Sequence, residues 1–381
     1  MSGADDRRWA WAEVDLAAVT HNVELMRSIV APSEVRAVVK ADGYGHGSVE
    51  VAKAALAGGA AGLCVALVYE GVVLRRAGID APILLLSAQP DDQLDDVIEH
   101  RLTPTVYTRV QAEALAATCG AHGVVDLPVH VNVDTGMQRV GVAPVAALEL
   151  FEHLDHPATP LRAEGVFTHL AVADEPTHPG TAEQLARFDA VLAELDRHGL
   201  RPPLVHAANS AGAVAHPGAR HAFVRTGISV YGISPGAGVD HLVAGFRPAM
   251  SVKARVSHVK RVAADSHVSY GWRHRFDHDT TVATVPIGYA DGVPRRLGTL
   301  PDKPGADVLI GGRRHPIVGV VTMDQFMVDV GDADVAVEDE VVLIGSQGGE
   351  TILATDWADR LGTIGYEVVC AITERVPRRY T

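Results

Sequence analysis

Eight short apolar runs, with amphipathic stretches between them, constrain the fold of this chain more than any other feature. They are Val35–Val39, Gly62–Leu67, Ile83–Leu86, Thr103–Tyr107, Leu127–Val133, Arg162–Thr168, Leu204–Ala207 and Ala222–Arg225. Apolar runs that do not alternate with polar residues are the pattern of parallel strands covered on both faces. Between them, Pro90–Glu99, Val110–Ala117, Val145–Leu154 and Thr181–Arg197 space apolar residues three or four apart, as helices packed on one face do. Eight strands with crossovers predict an α/β fold, a (β/α)8 TIM-type barrel over residues 15–245. A doubly wound open sheet is the alternative, but its dinucleotide fingerprint is missing. Lys40-Ala-Asp-Gly-Tyr-Gly-His-Gly47 stands where that fingerprint would begin.

From Phe246 onward the punctuation changes. Ser251–Val262, Thr281–Pro286, Asp307–Ile310, Pro316–Val321, Phe326–Val330 and Glu340–Ile344 are short, valine-rich and separated by Gly, Asp and Pro. That pattern predicts a mainly β domain over residues 246–381, with the isolated strand-like piece 9–14 as a candidate to join its sheet. The net charge of −14 argues against nucleic acid or an anionic membrane as partner. Local lysines and arginines can still hold a small anion. Met1–Arg8 has no apolar core, so no export signal is expected, and no apolar stretch is long enough to span a bilayer. Cys64, Cys119 and Cys370 are far apart with no CxxC, which fits a reducing cytoplasm. His274 and His278 lie in a charged, arginine-rich segment that reads as a solvated loop, so no metal is expected there. The basic tail Arg375–Tyr380 reads as solvent-facing or packed at an interface.

On such a barrel, catalytic groups sit at the C-terminal ends of strands, and phosphate is often held after strands seven and eight. The unusual polar residues fall there. Strand one ends in Lys40, which either snorkels to solvent or serves as an amine nucleophile. Strand five runs into Asp134–Arg139, strand six into Thr168-His169, strand seven into His206–Ser210 and strand eight into Arg225-Thr-Gly227. Ser210 and Gly227 each precede a short helix, so hydroxyl and N–H groups could converge on one anion. A phosphate beside a strand-end lysine points to pyridoxal phosphate, whose aldehyde condenses with an amine.

The segment Ala37–Gly47 resembles the cofactor-lysine signature of the alanine racemases. The resemblance continues through Val133–Arg139, His206–Gly212, Arg225–Gly232, Val268–Gly271, Pro286–Gly292, Met323–Gln325 and Tyr366–Val368. It covers nearly the whole chain in order. It implies a (β/α)8 barrel followed by a β-domain, and a homodimer with shared active sites and pyridoxal 5'-phosphate. Lys40 then matches the Schiff-base lysine, and Tyr44, Ser210, Gly227, Ile228 and Tyr366, with Asn209 beside them, match the residues that hold the cofactor phosphate. Arg225 matches the arginine on the pyridine nitrogen, and His169 a residue beside the ring. Arg139 matches the arginine near the substrate carboxylate, and Met323 contributes a backbone N–H to it. Tyr270 matches the second base, Tyr289 an entrance residue, and Asp324 a neighbour of the site.

Racemisation needs two bases, one on each face of a planar carbanion, and Lys40 and Tyr270 would supply them. An ordinary tyrosine, with a pKa of about 10, is a poor base at neutral pH, so a proton network through His206 is a candidate aid. One departure stands out. Many racemases carry a carbamylated lysine where this chain has Asn132. Either a chloride ion supplies the missing charge there, or Asn132 hydrogen-bonds Arg139 directly. The resemblance implies interconversion of L- and D-alanine in the cytoplasm, for bacterial peptidoglycan. A related racemase with a wider pocket and a non-catalytic cofactor carrier share the same barrel.

Overall fold

The structure, a computed structural model, describes residues 7–299 and 303–381. Met1–Asp6, which carry most of the expectation about an export signal, lie outside the described residues. The chain divides into two units. One comprises Met1–Ala18, Tyr44–Gly47 and Pro248–Thr381, and the other Val19–Gly43 and Ser48–Arg247.

β1 (Ala10–Val14) belongs to the first of these units. The barrel unit is built on β2 (Glu34–Val38), β3 (Gly62–Val65), β4 (Ile83–Leu85), β5 (Thr105–Val106), β6 (Leu127–Asn132), β7 (Leu161–Phe167), β8 (Leu204–His206) and β9 (Phe223–Thr226). All are parallel, in two runs ordered β4-β3-β2-β9 and β5-β6-β7-β8. Backbone hydrogen bonds close the circle at both seams. Thr103 bonds to Ile83 and Leu85 at 2.9 Å on one side, and the Ala222 N–H reaches the Val205 oxygen at 3.0 Å on the other. The eight expected strands are the eight observed. Their apolar runs are continuous because Val35, Leu63, Ile83, Leu84, Val131, Val166 and Val224 are all at or near zero exposure. Each such side chain contributes roughly 1.5–3 kcal/mol by leaving water.

The other unit is organised on a ten-stranded sheet. Its strands are β10 (Met250–Arg255), β11 (His258–Val262), β14 (Thr280–Val285), β15 (Asp307–Ile310), β16 (Arg313–Val318), β17 (Phe326–Gly331), β18 (Glu340–Gln347) and β20 (Arg378–Tyr380), together with β1 and the side strand β19 (Glu350–Ile352). A small hairpin pairs β12 (His267–Val268) with β13 (His274–Arg275). The isolated piece near the N-terminus does join this sheet, with Ala10 opposite Ala254 and Val14 opposite Met250.

One sequence expectation needs correction here, and one of two alternatives for the tail is narrowed. Ser251–Val262 is not one strand but two, because the chain changes partners after Arg255. β10 pairs with β1 and β18, whereas β11 pairs with β14. The basic tail is not simply solvent-facing. It forms β20, parallel to β1, and the Arg378 guanidinium donates to the carbonyls of Gly45, Ile372, Thr373 and Val376. A cation that satisfies several carbonyls is a structural staple rather than a solvated charge. Among the described residues, no helix is long and apolar enough to cross a membrane.

Candidate active site

In the barrel unit, Arg225 organises the strand ends. It is only 3 % exposed, and a buried cation survives only if its hydrogens are satisfied. Its Nη2 donates to the Thr168 oxygen at 2.8 Å and the Ala207 oxygen at 3.1 Å, and approaches His169 Nδ1 at 3.5 Å. Its Nη1 donates to His206 Nδ1 at 2.5 Å. The guanidinium also lies 4.9 Å from the centre of the Phe167 ring. Burial lowers its pKa to about 10, which still leaves a full cation at neutral pH.

His169 registers the field of this region. Burial, reinforced by Arg225, Arg139 and Lys40, holds its pKa down at about 3. Three cations therefore act on one neutral ring in a chain of net charge −14. Such a mouth is suited to anions. An unfolded histidine titrates near 6.5, so between about pH 6.5 and 3 the unfolded chain binds this proton better than the folded one. Stability from this group is full above pH 6.5 and is lost as pH falls toward 3. His169→Gln should therefore lose less stability than the parent between pH 7 and pH 4, by on the order of 2 kcal/mol in urea melts.

Lys40 follows β2 and opens a left-handed turn: Ala41, Asp42, Gly43 and Tyr44 have φ of 52°, 50°, 62° and 53°. Three non-glycine residues in that region cost roughly 1–2 kcal/mol each. Carboxylates compensate. Glu70 accepts the Ala41 N–H at 2.6 Å with one oxygen, and those of Ala66 and Leu67 at 2.8 and 3.1 Å with the other. Asp42 accepts the Ser48 N–H at 2.8 Å. Charge-assisted bonds of this kind contribute about 1.5–3 kcal/mol each, enough to hold the turn. The Tyr231 hydroxyl donates to the Val38 oxygen at 3.0 Å and steadies the strand end itself.

Ser210 begins the helix Ser210–Ala215, and its hydroxyl accepts the Gly227 N–H at 2.9 Å. That bond ties the ends of β8 and β9 together, next to the turn Ile228–Tyr231. Asn209 is engaged at both ends of its amide. It caps the helix by accepting the Gly212 N–H at 2.9 Å, and it donates to the Leu170 oxygen at 3.3 Å. Asn132 is buried at 4 % and Arg139 is exposed. Among the described residues the two side chains form no hydrogen bond, so that expectation is not met.

The remaining candidates lie in the other unit. Tyr44 and Tyr366 face each other with ring centres 6.1 Å apart, tilted by 51°. The glycine pattern has its reason here. Gly45 has φ of 79°, and a Cβ on it would lie 2.5 Å from the Val369 oxygen. Tyr270 and Met323 are 73 % and 53 % exposed, and Tyr289 is 43 % exposed. Large side chains displayed in this way are available to a partner surface. The loops carrying Tyr289 and Met323 are laced together: Tyr289 N–H to Thr322 O and Ala290 N–H to Met323 O, both 3.0 Å. Buried Asp291 pairs with Arg8 at 2.6 Å and Arg375 at 3.2 Å, and Arg375 also pairs with Asp324 at 2.7 Å. Sequence reading missed Glu70, Asp291 and Arg375 as supports. No capping-box signature pointed to Glu70, because Leu67 stands where a serine or threonine would.

Sequence models of the alanine racemase N-terminal and C-terminal domains match residues 14–235 and 249–380. The chain is 48% identical over 380 residues to a protein of Symbiobacterium thermophilum named alanine racemase, covering 99% of this chain and 98% of that one. It is 44% identical over 380 residues to one of Thermobifida fusca, covering 98% of each. Among solved structures, the alanine racemase from Streptomyces coelicolor superposes with a TM-score of 0.92 at 37% identity over 100% of both chains. The Bacillus anthracis enzyme, described with bound L-Ala-P, gives 0.90 at 39% identity over 98% of this chain and 95% of that one.

Proposed function

The chain belongs to the alanine racemase family, and from that premise we propose that it interconverts L- and D-alanine with pyridoxal 5'-phosphate. The observation that carries the cofactor reading is the buried Arg225 donor 3.5 Å from His169 at the strand ends, where Lys40 and Arg139 add to the positive field. The donor chemistry fits the group. Arg225 can only donate, and an unprotonated pyridine nitrogen can only accept. The Ser210 hydroxyl, Gly227 and Ile228 suit a phosphate, with Tyr44 and Tyr366 as further holders and Asn209 setting the helix start.

When bound, the cofactor supplies an electron sink for charge developing at the substrate Cα. The Lys40 amine would hold it at the end of the first barrel strand and would hold or move a proton on one face of the substrate Cα. Tyr270, contributed by the partner subunit of a homodimer, moves the proton on the other. Arg139 and the Met323 N–H hold the carboxylate, His169 flanks the ring, Tyr289 narrows the entrance, and Asp324 braces Arg375. A chloride ion beside Asn132 would supply the counter-charge that orients Arg139. Replacing chloride with a bulky organic anion should then raise the KM for alanine, and an unchanged KM would dismiss the ion. We place the reaction in the cytoplasm, where D-alanine is drawn into peptidoglycan.

Arg225 also limits the chemistry. A guanidinium does not protonate the ring nitrogen, so the sink stays weak. Arg225→Glu should slow racemisation at least tenfold, on the order of a lost charge-assisted bond, and raise pyruvate from transamination. Normal racemisation without new products would defeat this account. The reading as a whole is tested by chiral analysis of L-alanine, L-serine and other amino acids incubated with the purified protein. Alanine should approach equal amounts of both forms fastest, and retention of its configuration would end the proposal.

A further inference from the structure

Beneath the strand ends, the barrel interior holds a column of polar side chains where barrels ordinarily stack branched aliphatics. It starts at Arg225 and passes through His206 and His130 to Glu164. Arg225 Nη1 is 2.5 Å from His206 Nδ1, and His206 Nε2 is 2.8 Å from His130 Nδ1. His130 Nε2 stands 3.6 Å from a Glu164 oxygen, and that buried nitrogen has no hydrogen-bond partner. Both histidines are fully buried. The His206 ring is sandwiched between Phe223 at 4.1 Å and Phe167 at 4.7 Å, with Arg36 on the far face of Phe223 at 4.0 Å. At the outer end, Glu164 is 3.6 Å from Arg162, which pairs with Asp126.

The backbone is shaped for this column. Val129 pairs with Ala163 but His130 with Gly165, so Glu164 is an extra residue bulged out of β7. Bulges re-aim side chains and cluster beside active sites. Any side chain at Gly165 would occupy the space of the His130 ring.

Donor logic gives the column a direction. Arginine only donates, so His206 Nδ1 must accept, and the neutral ring carries its proton on Nε2. That proton is donated to His130 Nδ1, so the His130 proton lies on Nε2, facing the Glu164 carboxylate. Protonating either ring would set two donors against each other. Burial depresses both histidine pKa values, in keeping with this arrangement, and the contact with His130 lowers that of Glu164.

We propose that Glu164 and His130 are positioning residues of the strand-end site: they lock His206 in its Nε2-protonated form and thereby hold Arg225 in place as a donor. The functional consequence rests on the cofactor reading above; the tautomers do not. Neutron diffraction from deuterated holoenzyme crystals should show deuterium on Nε2 of both histidines and none on Nδ1. Deuterium on Nδ1 of either ring overturns the proposal. Glu164→Leu should raise the pyruvate released per racemisation about tenfold with the KM for alanine little changed. In that side reaction the amino group of alanine passes to the cofactor and pyruvate leaves. Glu164→Gln, which keeps an acceptor oxygen, should restore the ratio. A folded, cofactor-loaded Glu164→Leu protein with the parent's product ratio also overturns the proposal. If Glu164→Leu does not fold, the parent's neutron map decides alone. A protein without racemase activity but with the stated tautomers would reject the functional reading and support the column.

Discussion

Lys40→Ala should leave a folded protein whose racemase activity has fallen at least about a thousandfold, the scale seen when a group acting both as anchor and as base is removed. Folding should survive because carboxylate bonds from Glu70 and Asp42 hold the turn after β2. The assay pairs with a chemical one. Borohydride should fix cofactor to the peptide containing Lys40 in the parent and to no peptide in the variant. Label on another lysine, or residual activity within tenfold of the parent, would remove Lys40 from the role proposed for it.

Tyr270→Ala should be comparably damaging, but asymmetrically. The side chain is 73 % exposed on a short turn, so its removal should not unfold the sheet unit. Surface truncations of this kind change stability by about half a kcal/mol or less. If Tyr270 serves one face and Lys40 the other, solvent exchange of the α-hydrogen should persist better from D-alanine than from L-alanine. Equal loss from both enantiomers would mean that Tyr270 is not a single-face base.

The barrel was legible because its strands are buried on both faces, so the sequence reads as unbroken apolar runs. Every one of the eight, from Val35–Val39 to Ala222–Arg225, coincides with an observed strand. The sheet unit was legible in its punctuation, though Ser251–Val262 hid a change of partners that alternation cannot signal. The turn after Lys40 was opaque for a different reason. Ala41 and Tyr44 ordinarily avoid positive φ, and bonds to the carboxylates of Glu70 and Asp42 offset that cost. Glu164 was opaque because a bulge is a single extra residue, which leaves the apolar pattern of β7 intact. The tail was left open between solvent and packing because arginine counts as charge in a sequence, whereas Arg378 acts as a donor to backbone.

The central claim, that Lys40 and Tyr270 of different subunits complete one site, meets its most direct test in mixed dimers. Inactive Lys40→Ala and inactive Tyr270→Ala chains are combined, and subunit exchange is verified by mass spectrometry of the mixed dimers. Each heterodimer would then hold one intact site and one doubly damaged site. Random pairing makes half the dimers mixed, so activity should return to about a quarter of the parent's. Mixed dimers that form and stay inactive would contradict the shared site.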